Sequence, residues 1–205
     1  MNRNITFLFI LFASIFTLST FFQPYPLSWL VKLIPIVLLI YSLLGKIKQT
    51  HERLFLLGLI SSAFGDFFLD YGRDTLFLFG LGSFLIAHLF YLSSLWPIAN
   101  KRLMPIFFYA VYGCCMLWIL APRLNELLVP VTIYMFVLLL MGVFTLVSKK
   151  TNIWLVMGGL SFVVSDSLIG INRFYYPFSF SHPLIMVTYY FAQFALVKGI
   201  LANKE

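Results

Sequence analysis

Charge is what this sequence has least of. Asp, Glu, Lys and Arg make up only 10% of its 205 residues, against about 25% in a soluble globular chain. That is too little to cover a water-facing surface, and it excludes an ordinary soluble domain. Cysteine is nearly missing as well. Cys114 and Cys115 are adjacent inside an apolar run, which excludes a disulfide framework and reads as a pair of small packing residues. Histidine is confined to His51, His88 and His182. Catalytic zinc sites take three protein ligands from His, Asp, Glu or Cys. A set of Asp66, His88 and Asp166 can be drawn up, but no spacing supports it, and the expectation is no metal and no cofactor. Gly-x-Ser-x-Gly, Walker and His-Glu-x-x-His motifs are all missing, so the chemistry those motifs support has no sequence basis here.

What is present is apolar surface: 61% hydrophobic and 19% aromatic residues. The apolar runs approach the roughly 20 residues needed to cross a bilayer. Runs such as Phe136-Val137-Leu138-Leu139-Leu140-Met141 do not alternate with polar residues, as barrel strands would. The fold class is therefore an all-α membrane protein with eight transmembrane helices, at about 5–22, 27–44, 54–71, 78–97, 103–121, 129–147, 153–171 and 183–201. Pro24 and Pro26, the basic loop Lys46 to Arg53, Lys101-Arg102, Pro122, Lys149-Lys150, and the stretch from Tyr176-Pro177 to His182-Pro183 punctuate them. The first run lacks a convincing small-residue cleavage site and reads as the first helix.

The net charge of +7 lies mostly between apolar runs, so it reports topology and not nucleic-acid binding. Arg3, Lys46, Lys48, Arg53, Lys101, Arg102, Lys149, Lys150, Lys198 and Lys204 fall on one side; Lys32, Arg73, Arg123 and Arg173 fall on the other. The positive-inside rule then places both termini in the cytoplasm, and we expect a multi-pass protein of a bacterial inner (plasma) membrane.

Two carboxylates interrupt this background, in Gly65-Asp66-Phe67-Phe68-Leu69-Asp70 and Ser165-Asp166-Ser167-Leu168. A charge within a span costs from about 3 to more than 10 kcal/mol and marks a functional site by default. Asp66 and Asp166 lie a hundred positions apart, and Gly58 with Gly158, Ser61 with Ser161 and Arg73 with Arg173 fall into the same register. We read residues 1–205 as one integral membrane domain, with two parallel four-helix repeats over about 1–100 and 101–205 whose copies meet at one polar site. At 1.5 Å per residue both aspartates lie about 18 Å from the cytoplasmic end of their spans. Lys32 enters from the other face, roughly 8 Å in, at the same level.

The supporting residues each carry a plainer alternative. Lys32 is either a counter-charge, a ligand for a substrate phosphate, or a snorkelling lysine with its ammonium in water. His88 and Tyr91 make a polar stripe on the fourth helix, and a lone span histidine is more often a packing residue. That helix is expected to loosen at Gly80 and Gly82, which would raise His88 toward the aspartates. Asp70, one turn past Asp66, is expected to pair with Arg73. Tyr189 and Tyr190 are site residues or members of an interfacial aromatic belt, and Gln193 is a weaker candidate of the same kind.

Lys32, Gly65-Asp66-Phe67-Phe68-Leu69, His88-Leu89-Phe90-Tyr91 and Ser165-Asp166-Ser167-Leu168, in this order and spacing, resemble the YhhN-like lysoplasmalogenases over nearly the whole chain. The resemblance implies an enzyme that hydrolyses the vinyl ether bond of a lysoplasmalogen, lysoplasmenylethanolamine or lysoplasmenylcholine. The products would be a fatty aldehyde and a glycerophospho head-group compound. It implies a lysophospholipid drawn from the bilayer as substrate, with membrane lipids around it. The chemistry asks for an acid to protonate carbon and a carboxylate to steady the resulting cation, the division of labour seen in glycoside hydrolysis. Asp166, between Val163-Val164 and Leu168-Ile169, suits the acid; Asp66, near Asp70, Arg73 and Lys32, suits the ionised role. Two other classes stand beside this reading: a proton-coupled or lipid transporter using the intramembrane aspartates, and a scaffold without chemistry. Head-group preference and oligomeric state are left open.

Overall fold

The computed structural model describes residues 2–99 and 103–202. Lys101, Arg102 and Lys204, counted above in the charge asymmetry, lie outside the described residues. Among the described residues all regular structure is helical, apart from one bridge between Ile98 and Ser148. The eight longer helices are α1 (Arg3–Ser19), α2 (Ser28–Leu44), α3 (Thr50–Tyr71), α4 (Phe77–Leu95), α5 (Leu103–Leu124), α6 (Leu128–Val147), α7 (Ile153–Gly170) and α8 (Ser181–Ala202).

Six helical stretches are long and apolar enough to cross a membrane: Arg3–Phe22, Thr50–Tyr71, Phe77–Leu95, Met104–Val147, Ile153–Tyr175 and Ser181–Ala202. The fourth contains both α5 and α6, and α2 is apolar but shorter. The fold is that of a multi-pass helical membrane protein. Its outward surface fits that reading, since Phe7, Trp118, Phe136 and Val187 are among many large apolar side chains left exposed.

Local sequence explains where the helices begin and how they bend. Gln49 and Glu52 form a reciprocal capping box at the start of α3, satisfying donors that the first turn leaves open. The Asn152 side chain accepts from the backbone N–H groups of Trp154 and Leu155 at the start of α7. Pro35 sits inside α2, where it withholds a donor from the carbonyl four residues back and loosens the turn. The Tyr190 hydroxyl donates to the adjoining Lys32 carbonyl at 2.9 Å. After Gly170, α7 widens into a π-type turn over Ile171–Tyr175.

Three features differ from expectation. α4 is continuous from Phe77 to Leu95; Gly80 faces Leu69 of α3, so it serves close packing and not a break. Pro122 does not end α5, which runs on to Leu124. The chain turns instead at Asn125, whose φ is +45°, a backbone region that asparagine tolerates better than most residues. Cys114 and Cys115 are both exposed on α5, so they do not pack the interior.

Most consecutive helices pack against one another, α3 on α4 and α7 on α8 most closely, while α4 packs more closely on α6 than on α5. Gly58 lets Tyr91 of α4 reach the α3 backbone, and Gly158 does the same for Leu196 of α8. A Cβ at Gly158 would lie 2.9 Å from the Leu196 backbone nitrogen, so Gly158→Val is expected to force α7 and α8 apart. Overpacking of this kind costs about 1–3 kcal/mol, or roughly 2–4 °C in melting midpoint per kcal/mol for a chain of this size. Gly82, with nothing within 4 Å, is the control: Gly82→Ala should not lower the midpoint. Thermal melts of both variants in detergent check this.

Candidate active site

α2, α3 and α8 converge on Asp66, which is 1% exposed. The Lys32 ammonium lies 3.3 Å from its Oδ1, and the Tyr189 hydroxyl donates to Oδ2 at 2.5 Å. Lys32 is 6% exposed; it is committed to this ion pair and does not snorkel to the interface. Behind it a polar thread continues inward. Gln193 Nε2 donates to the Tyr189 oxygen at 3.2 Å, and its Oε1 accepts from Tyr91 at 2.9 Å. The Tyr91 hydroxyl also meets Ser62 Oγ at 3.1 Å. Tyr189, Tyr190, Tyr91, Gln193 and Ser62 are all buried, so the two adjacent tyrosines of α8 are interior residues and not belt aromatics. Ser62 was not legible as a partner, because an isolated serine in an apolar run gives no signal of its own.

Asp166 has a different set of partners. On α7, it accepts a short hydrogen bond from the Tyr134 hydroxyl of α6. His88 Nε2 of α4 lies 3.7 Å from the same carboxylate oxygen and 3.2 Å from the Tyr134 hydroxyl. His88 is fully buried against the Phe162 ring, and its Nδ1 has no hydrogen-bond partner. Tyr134 escaped the sequence reading. It sits in the apolar run of α6, where a tyrosine looks like any other aromatic.

The aspartates thus do not share a partner. Rings stand between the two groups: Tyr189 meets Phe84 and Phe162 edge-on, and Phe162 meets His88. Asp66, His88 and Asp166 do not gather as a metal cluster; among the described residues no three His, Cys, Asp or Glu side chains do. Asp70 departs from expectation too. It accepts from Ser28 Oγ and, at 3.1 Å, from Gln23 Nε2. Arg73 donates to Gln23 Oε1 at 3.0 Å, so Gln23 stands between the two charges expected to pair.

Two neighbouring cavities reach these groups. A polar cleft of about 120 Å³ is lined by Lys32, Asp70, Arg73, Arg173 and His182 among others. An apolar slot of about 70 Å³ runs between α4, α5, α6 and α7, and its wall includes Asp166 and Tyr134. Leu69, Phe77 and Ile169 belong to both walls. Asp66 lines neither; Lys32 presents that pair to the cleft.

The Lys32–Asp66 pair predicts a non-additive mutant cycle. Lys32→Met should leave a buried carboxylate without its cation, a change that costs about 3–5 kcal/mol for buried pairs. Adding Asp66→Asn to Lys32→Met should recover part of that loss. Melting midpoints of the two single variants and the double variant decide it, and strictly additive losses would show that the pair carries no coupling.

The YhhN family model matches residues 27–200. Two mycobacterial proteins named lysoplasmalogenase, from Mycobacterium bovis and Mycobacterium tuberculosis, are each 36% identical to this chain over 134 residues, which is 60% of this chain. That match spans about half, 51%, of each mycobacterial relative's length. The human protein named lysoplasmalogenase TMEM86A is 28% identical over 199 residues, covering 89% of this chain and 82% of the relative. No solved structure matches. With the family model covering all but the ends of the chain, and with both aspartates, Lys32 and His88 inside the matched range, this chain belongs to the YhhN family.

Proposed function

We propose that this chain is a membrane hydrolase that cleaves the vinyl ether bond of lysoplasmalogens, releasing a fatty aldehyde and glycerophosphoethanolamine or glycerophosphocholine. The observation that carries the reading is the position of Asp166. Its carboxylate is 8% exposed, forms part of the wall of an apolar slot, and is held by a phenol and an imidazole. An apolar slot, beside a cleft with Lys32, Arg73 and Arg173 in its wall, fits part of the chain of a single-chain lipid whose head carries a phosphodiester. The name that the mycobacterial, human, bovine and mouse relatives share supports the same activity.

The reaction needs a proton on the vinyl carbon remote from oxygen. The oxocarbenium-like cation that forms is captured by water at the carbon bearing oxygen, and the hemiacetal breaks to an aldehyde and a free glycerol hydroxyl. Asp166 gives the proton. Tyr134 and His88 hold the Asp166 carboxyl and form the chain through which a proton returns to it. Asp66, ionised against Lys32, supplies the negative field that steadies the cation, and Tyr189 fixes its second oxygen. Tyr190 holds the α2 backbone at Lys32; Tyr91 ties α3 and α4 to α8 through Ser62 and Gln193; Asp70 shapes the cleft from one helical turn above Asp66. These steps require no metal.

The same reading extends to the membrane. All eight helices cross it, α2 being 17 residues long, or about 26 Å at the helical rise. The basic side, with Lys46, Lys48, Arg53, Lys149 and Lys150, faces the cytoplasm, as do both termini, in a bacterial plasma membrane. The aspartate-bearing helices derive from two like units, of about 1–100 and 101–205, that now hold their carboxylates differently.

Two experiments test this. Asp66→Asn and Asp166→Asn should each lower aldehyde release from a lysoplasmalogen by about two or more orders of magnitude, the scale of acid–base catalysis, in protein that still elutes as a folded species. Near-normal turnover in both would remove the mechanism. Cysteine labelling on a background with Cys114 and Cys115 replaced should find Tyr176→Cys accessible from outside the cell and Lys149→Cys only from inside. The opposite pattern would invert the topology and move the site to the other leaflet.

A further inference from the structure

We propose that Arg73 and Arg173 form the seat of a lipid phosphodiester at the mouth of the polar cleft, with His182 beside them. The inference rests on the lysophospholipid reading above and deepens it, since it names the part of the substrate that binding recognises.

The charged groups lining the cleft are Lys32, Arg73 and Arg173 against one carboxylate, Asp70. Lys32 is engaged with Asp66, and Asp70 is occupied by Ser28 and Gln23. Arg73 is left with neutral contacts: Gln23 Oε1 at 3.0 Å and His182 Nε2 at 3.3 Å. Arg173 lies on the face of Phe77, 4.1 Å from the ring centroid, so its plane is held. It donates to the Arg73 carbonyl at 3.3 Å and to Asp74 at 3.2 Å. The Asp74 side chain is 88% exposed, and a pair so open to water contributes little.

The Arg173-to-Arg73 backbone bond ties the π-type turn after α7 to the turn after α3, and both arginines line the same cleft. Guanidinium forks match the oxygens of phosphate bidentately. One phosphodiester anion has two free oxygens for two such forks, and it would bring one negative charge to Arg73, which contacts Gln23 and His182, and to Arg173, whose Asp74 partner is open to water.

The depth of the site identifies the ligand as a lipid and not free phosphate. Asp66 lies five residues before the end of α3 at Tyr71, about 8 Å along the helical rise, and Arg73 follows in the turn just beyond that end. The cleft shares Leu69, Phe77 and Ile169 with the apolar slot that reaches Asp166. A head group seated on the arginines therefore points its three-carbon backbone past Lys32 and its chain into the slot.

The test uses the full-length protein and ligands that it cannot hydrolyse. A saturated alkyl-ether lysophospholipid should bind at least tenfold more tightly than the alkylglycerol of the same chain length, because charge-assisted bonds to phosphate are lost in the latter. Arg73→Gln and Arg173→Gln should each shrink that preference by about tenfold, and Arg73→Lys should keep part of it. Millimolar inorganic phosphate should not displace the lysolipid. Equal binding of the two ligands by the unaltered protein would overturn the proposal, as would a preference unchanged in both glutamine variants. Displacement by inorganic phosphate would identify a free-anion site and overturn the lipid assignment. Aldehyde release measured on the same preparation separates the two readings. Preference without release removes the hydrolase and leaves the phosphate seat; release without preference does the reverse.

Discussion

A lysine and an aspartate cannot each enter the apolar interior of this bundle alone. Either charge unpaired in a membrane span costs several kcal/mol. The pair is tolerated because each partner has other bonds as well: Tyr189 satisfies the second oxygen of Asp66, and Tyr190 holds the α2 backbone at Lys32 itself. Those four residues come from α2, α3 and α8, so the neutralisation of one charge sets the relative heights of three helices. Gln193, one turn beyond Tyr189, carries the constraint on to Tyr91 and Ser62. A slip of any of these helices by one residue would orphan a buried polar group, which is why the register of the apolar surfaces around them has so little freedom.

Much of this was legible in the sequence, for a physical reason. Apolar length and basic punctuation are set by the bilayer, so the eight runs located from composition lie close to the eight helices. Buried charges are costly, so Lys32, Asp66 and Asp166 stood out against their runs. What could not be read was pairing. Asp70 and Arg73 are neighbours in sequence, yet Gln23, from the connection before α2, comes between them. No local pattern encodes that contact. Tyrosines were ambiguous because a phenol suits an interface, a core and a hydrogen-bonded site alike. The glycines of α4 misled in the same way: Gly80 looked like a break, but it is small because Leu69 packs there, a fact about the facing helix and not about α4.

The two aspartates occupy matching sequence positions, a hundred residues apart, and end in unlike surroundings. Asp66 faces an ammonium; Asp166 faces a phenol and an imidazole. The difference traces to the helices packed against them. Helix α2 carries Lys32, whereas α6 presents Tyr134 to α7 and α4 contributes His88. Asp166 also borders open apolar space, while Asp66 is sealed behind Lys32. A carboxylate neutralised by a fixed cation has little reason to exchange its proton with substrate. One that meets a phenol and an imidazole, on the wall of a slot, has the access to do so. The asymmetry between the surroundings of the two aspartates is what the proposed mechanism draws on when it has one hold charge and the other move a proton.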